Sequence, residues 1–482
     1  MKQKDKIPVV QEQTRRHFIR DCFLGFGGLA LSSILGNDLY GSGPGDLVRG
    51  PHYKPSVKNI IYIHLAGAPS HLELFDYKPE LEKLNGKECP PSLLEGKRFA
   101  FIRGVPKMLG PQGVFKQWGD SGAWISNYLP HLSTVADELT FLKGVTTDQF
   151  NHAPAQLLMH TGSARLGRPS MGSWVTYGLG TENENLPGFV VLTSGGNNPD
   201  AGKSVWGSGF LPSLYQGVQC RSDGNPVLFI ENPEHIDRPE RRASIDAINE
   251  INRLTFQEYQ DPEINTRIAQ YELAYKMQIT VPEVMDISSE PEYIHKLYGS
   301  DPDRSIFANN VLLARKLVEN GVRFVQLFDW GWDTHGTSPD GSIDIGLWNK
   351  CEQTDQSVTA LIIDLKQRGL LDETLVIWGG EFGRTPMQEN REGKTNPYLG
   401  RDHHAEAFTM WMAGGGLRKG FSYGETDEIG YSVTHGLVTP YDIQATILHL
   451  LGFDHEKLIF PYQGRDFRLT DIHGTVIKDI LA

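Results

Sequence analysis

Apolar residues in this chain gather into short, unbroken runs. The first is Asn59-Ile60-Ile61-Tyr62-Ile63-His64-Leu65, which gives way to Ala66-Gly67-Ala68-Pro69-Ser70; comparable runs lie at 139–142, 189–192, 322–328, 374–378 and 408–413. Runs of this length without polar alternation predict strands buried on both faces, five or six of them. Between them the period lengthens. Apolar residues at 307, 311, 312, 317 and 318 mark a helix over 305–320, Val358, Leu361, Ile362 and Leu365 mark one over 348–368, and Thr439-Pro440 opens another over 441–451. Strand alternating with helix predicts the α/β class, a mostly parallel sheet covered on both faces with ligands at the carboxyl ends of its strands. The charged, helical stretch 235–300 reads as an insertion or cap on one main domain spanning 57–470.

Composition narrows the class. Of 482 residues 39% are hydrophobic and 22% charged, as in a globular protein, and the formal charge of −13 opposes the phosphate attraction on which nucleic-acid binding depends. A nucleic-acid partner is excluded on that ground. Residues 1–40 read as a targeting signal and linker. Thr14-Arg15-Arg16-His17-Phe18-Ile19-Arg20 has the twin-arginine pattern, and the apolar stretch 22–35 behind it is shorter than the roughly 20 residues of a membrane span. Folded export by the twin-arginine machinery to the periplasm or cell envelope is expected, with no stable membrane span after cleavage. Cys89, Cys220 and Cys351 are widely spaced, show no zinc-binding pattern and permit one disulfide at most.

If the carboxyl ends of the strands build the site, the residues just past each run are the candidates. Ser70, His71, Glu73 and Asp76 follow the first run; Asp148, Asn151 and His152 follow the second; Asp329, Asp333 and His335 follow 322–328; Glu381 and Arg384 follow 374–378; Arg401-Asp402-His403-His404 precedes the last. Asp333-Thr334-His335 presents an oxygen and an imidazole to one side of an extended chain, which suits a metal as well as an Asx turn. Adjacent His403 and His404 point apart unless something recruits one or both.

The motifs Gly67-Ala68-Pro69-Ser70-His71, Gly331-Trp332-Asp333-Thr334-His335, Gly380-Glu381-Phe382-Gly383-Arg384-Thr385-Pro386 and Asp402-His403-His404, in this order, resemble the exported bacterial family called domain of unknown function 1501. That family is similar to sulfatases within the alkaline phosphatase superfamily. The resemblance implies an α/β/α sandwich with a metal site at the carboxyl ends of the central strands. Asp333, His335 and His404 look like the first metal site, with His403 and Glu381 as the nearest additional ligands. Glu381 stands at an aspartate position of the second site, where Phe382 replaces the expected histidine, and Ser70, His71, Asp76 and Asp402 are further site candidates. His152-Ala153-Pro154-Ala155-Gln156, leading to Met159-His160-Thr161-Gly162, matches the sulfatase nucleophile segment with His152 in place of the Cys or Ser and Gln156 in place of the arginine.

Two functions follow. In the first, the protein is an exported metal-dependent hydrolase of sulfate, phosphate or related esters, on an anionic ester or saccharide substrate. The metal would be zinc or a similar divalent ion, with calcium and manganese as the other candidates. Arg384 would neutralise the substrate's charge and His152 would act as metal ligand, general acid/base or nucleophile. In the alternative, the fold survives without catalysis and binds metal or carbohydrate. A histidine at position 152 that merely packs in the core is the bland reading.

Overall fold

The first apolar run becomes the middle of a sheet. In the computed structural model, which describes residues 50–221, 226–227, 232, 235–391 and 393–482, the main strands in chain order are β1 (Asn59–Ala66), β2 (Leu139–Val145), β3 (Phe189–Ser194), β4 (Val218–Cys220), β5 (Phe324–Trp330), β6 (Thr374–Gly379), β7 (Gly383–Gln388), β8 (Arg401–His404), β9 (Phe408–Gly414) and β10 (Phe421–Tyr423). All but β7 and β8 join one eight-stranded sheet in the order β10-β2-β9-β6-β1-β5-β3-β4. Pairing is parallel except where β9 meets β2 and β6. The twin-arginine segment lies outside the described residues.

The principal helices are α1 (His152–Thr161), α2 (Met171–Leu179), α3 (Arg238–Tyr259), α4 (Pro262–Met285), α5 (Glu292–Tyr298), α6 (Phe307–Glu319), α7 (Trp348–Gln367) and α8 (Pro440–Leu450). Two-residue alternation divides each central strand between two cores. Ile61, Ile63 and Leu65 of β1 pack with Val325, Leu327, α6 and α7, whereas Ile60 and Tyr62 pack with Phe324, Phe328, α1, α2 and α8. Each such fully buried Ile or Leu contributes roughly 1.5–3 kcal/mol. Both faces are covered, which is why the strands read as continuous apolar runs rather than alternating ones.

The six predicted runs are all strands of this sheet. Helix α8 begins as expected, with Thr439 and Asp442 forming a reciprocal capping box. The stretch 235–300 holds α3, α4 and α5. Cys89, Cys220 and Cys351 are buried free thiols. Among the described residues no helix is long and apolar enough to cross a membrane.

The β7–β8 hairpin stands at the carboxyl end of β6, beside the exits of β1 and β5, and two glycines let these segments meet. Gly67 has φ +113°, and a Cβ there would lie 2.5 Å from the Asp333 nitrogen. At Gly400 a Cβ would lie 2.0 Å from the His335 carbonyl carbon. Only a residue without a side chain admits either approach.

Candidate metal centre

Asp333 and His335 leave the end of β5 in an extended loop, His403 lies on β8, and His152 is the first residue of α1. One ligand atom from each of these four side chains lies within 4.8 Å of the others. Asp333 is the focus. Its Oδ1 stands 2.8 Å from His335 Nε2 and 3.3 Å from His403 Nε2, and its Oδ2 stands 3.4 Å from His152 Nε2.

Each imidazole is held from behind by its other nitrogen. His152 Nδ1 pairs with Glu381 Oε1 at 2.7 Å, His403 Nδ1 donates to the Phe150 carbonyl at 2.7 Å, and His335 Nδ1 pairs with Glu389. A histidine whose Nδ1 is engaged in this way presents Nε2 in a set direction, the arrangement usual around a bound metal. The donors fit a divalent ion. Imidazole and carboxylate donors suit zinc better than magnesium, and Asp333, on which they converge, is partly open to solvent; His152 Nε2 is a further buried nitrogen at the cluster with no hydrogen-bond partner.

Electrostatics reflect this crowding. Burial raises the Asp333 carboxyl, but Arg384 and the three imidazoles hold it well below the usual range. Burial works against the charged form of His152, yet the Asp333 and Glu381 carboxylates beside its two nitrogens lift it to about 10. His335 is raised too, burial being outweighed by Asp333 and Glu389. Burial lowers His403 to about 4; its bond to Asp333 opposes this, while the charges of Arg384 and His152 reinforce it.

Several of the expected site residues lie outside these four. His404 does not join the cluster: neighbouring residues of β8 face opposite ways, so His403 points to Asp333 while His404 Nε2 meets the Tyr431 carbonyl at 2.5 Å and its ring lies against that of Tyr431 at a tilt of 49°. Arg384 is fully buried. Its Nε donates to Ala68 O, its Nη1 to Arg401 O, and its Nη2 to Gly67 O and Asp333 Oδ1, which occupies four of five donors. Its role is to tie the β1 and β8 backbones to Asp333. Glu381 braces His152 rather than joining the four: its carboxylate accepts from Gly67 N at 3.1 Å and Gln156 Nε2 at 3.2 Å, and its Oε2 lies 3.3 Å from His64 Nε2.

The remaining candidates lie off the cluster. Ser70 is buried with an unpartnered hydroxyl, and His71, lowered to about 4 by burial, approaches Gly430 O at 3.4 Å. Asp76 accepts from Thr426 and pairs with Lys78. Asp402 accepts the backbone N–H groups of Phe101, Ile102 and His403, all at 2.8 Å, and so pins the loop; it also groups with His335 and Glu389 within 4.8 Å.

Sequence reasoning missed His64, Glu389 and the part of Gln156. A lone histidine inside an otherwise apolar strand was the one available signal for His64; Glu389 lies just beyond β7, outside the residues that directly follow a sheet strand.

The comparisons agree with the motif order. A family model described as protein of unknown function, DUF1501, matches residues 57–481. The chain belongs to this family. No curated protein matches the sequence. Solved structures similar to this DUF1501 chain include a sulfatase from Pseudoalteromonas sp., at 13% identity over 85% of this chain and 69% of that one, TM-score 0.36. The alkaline phosphatase of the Antarctic bacterium TAB5 is 11% identical over 76% of this chain and 94% of that one, TM-score 0.33. A phosphonate monoester hydrolase from Silicibacter pomeroyi is 10% identical over 82% and 73%, TM-score 0.32.

Proposed function

We propose that this DUF1501 protein is an exported, metal-dependent hydrolase of sulfate, phosphate or related esters. The observation that carries the reading is the convergence of three Nε2 atoms on Asp333, each imidazole braced through Nδ1. Asp333, His335 and His403 would hold the ion. Bound there, a divalent metal supplies Lewis-acid polarisation of an ester oxygen and a water of lowered pKa.

His152 takes the proton-transfer role. It alone faces Oδ2 rather than Oδ1, it is the most exposed of the three imidazoles, and Glu381 fixes its orientation. The carboxylates of Asp333 and Glu381 favour the imidazolium form of His152, which gives its Nε2 proton to the departing alcohol oxygen as water adds to sulfur or phosphorus. The attacking water's proton then restores the imidazolium. Glu381 thus acts as a positioning residue, and Arg384 holds the Asp333 carboxylate in place.

Hydrolysis of sulfated, phosphorylated and acylated saccharides, with metal removed and restored, tests the reading. Metal-dependent release of sulfate or phosphate that is lost in His152→Ala supports it. A protein that binds no divalent metal, or that hydrolyses none of the panel with metal restored, would overturn it in favour of a non-catalytic binding protein.

A further inference from the structure

Helix α3 lies in the charged stretch 235–300, yet its outer side is apolar. Ile245 and Asn249 are buried on its inner side, where Arg242 and Asn249 fasten it to Glu272 of α4. The opposite side of a surface helix is ordinarily polar. Here Ile251 and Leu254 are 63% and 58% exposed and continue a stripe that the exposed Ala243 and Ala247 begin one and two turns earlier. Ile248 and Tyr259, 38% and 68% exposed, flank it. Single exposed apolar residues are ordinary; four large ones on one helix mark an interaction surface.

The order of these residues along the helix says what fits it. Small side chains, Ala243, Ser244 and Ala247, occupy the first half of the face, and large ones, Ile251, Leu254 and Tyr259, the second. Two parallel copies would set large against large and Glu250 against Glu250. Antiparallel copies related by a two-fold axis at Ile251 do the opposite. Ala247 then lies level with the partner's Leu254, and Ser244 with the partner's Tyr259, so large side chains meet small ones. Glu250 and Arg253 share one flank of the stripe, and in an antiparallel pair each flank meets itself, so Glu250 lies level with the partner's Arg253 and Arg253 with the partner's Glu250. Within one chain these two side chains pair at 3.2 Å, and both are more than half exposed, free to bridge across the axis.

We propose that the outer face of α3 docks a second copy of this chain as an antiparallel helix pair with its two-fold axis at Ile251. The contact from Ser244 to Tyr259 is about 23 Å long at 1.5 Å per residue. That is short for an obligate interface, so the dimer is a reversible one of the micromolar class. The face contributes nothing to the imidazole cluster, and the inference stands whether or not that cluster is catalytic.

Sedimentation velocity of the full chain between about 1 and 100 µM tests it. A concentration-dependent shift from monomer to dimer is expected. Ile251→Arg, at a position more than half exposed, sets two like charges on the axis and should weaken the dimer at least tenfold. Glu250→Arg alone should weaken it about fivefold, and adding Arg253→Glu should bring it back to within about twofold of the wild type, because the pair is then reversed but kept. Only a residue near the two-fold axis can bond to its own copy. In a Cys22→Ser background, with Cys89, Cys220 and Cys351 buried, Ile251→Cys should form an intermolecular disulfide on mild oxidation, whereas Ala243→Cys, two turns from the axis, should not. A chain that stays monomeric throughout, a dimer indifferent to Ile251→Arg, a double charge variant no tighter than Glu250→Arg, or self-linking of Ala243→Cys in place of Ile251→Cys would overturn the proposal. A monomer that instead floats with phosphatidylglycerol vesicles, and is released from them by Ile251→Arg, would assign the face to a lipid surface and overturn it as well.

Discussion

Replacing Glu381 with glutamine keeps the side chain's shape and removes its charge from behind His152. The amide oxygen can take over the Oε1 contacts to His152, Gly67 and Gln156, and the NH₂ group then faces His64 Nε2, which can accept as the other tautomer. The electrostatic change is therefore isolated from the steric one. In the metal-free protein His152 stands at about 10 against an ordinary 6.5, which at 1.36 kcal/mol per pH unit is about 5 kcal/mol of preference for the cation. Asp333 and Glu381 share that preference, so losing one carboxylate should remove roughly half and bring His152 to about 8. Carbon-13 NMR of labelled histidines, with His152→Gln for assignment, reads the value directly. The sign for stability follows. The folded value lies above the unfolded one, so the cation's contribution is complete below about 6.5 and is lost as pH rises through about 10. The depressed Glu381 carboxyl is the other side of the same interaction and is not counted again. Urea unfolding of the metal-free wild type should therefore show stability falling between pH 7 and 10, with the fall ending near pH 8 in Glu381→Gln. A wild-type His152 that titrates near 6.5, or a variant still at about 10, would refute this account of the brace.

Other expectations concern the cluster, its supports and the leader. His403→Ala should weaken zinc binding on the order of 100-fold in a chelator-dye competition, whereas His404→Ala should change it less than threefold, because only His403 faces Asp333. Glu73→Gln leaves the fully buried Arg401 guanidinium without its carboxylate and should cost about 3–5 kcal/mol in urea unfolding, since among the described residues Arg401 otherwise donates to the carbonyls of Leu109, Gly110 and Thr385. Changing Arg15 and Arg16 to Lys should retain the protein in the cytoplasm by cell fractionation; unchanged export would remove the twin-arginine reading.

Apolar runs of four to seven residues were enough to locate the central strands, because a strand buried on both faces carries its burial in every position. The helices α6, α7 and α8 were legible for the related reason that each buries a stripe against the sheet. The edge strands β4 and β10, three residues each, offered no such run. Site residues were legible only as a list, since a parallel sheet places ligands at its carboxyl ends whatever they are. Which of them meet was decided by tertiary structure: the phase of β8 chose His403 over His404, and the close passage of Gly67 and Gly400 brought the β1, β5 and β8 exits together. That same approach buries Arg384 among backbone carbonyls, with its guanidinium on Asp333. Glu381 and His64 face each other because β1 and β6 are neighbours, a pairing between residues more than 300 positions apart that no local pattern records.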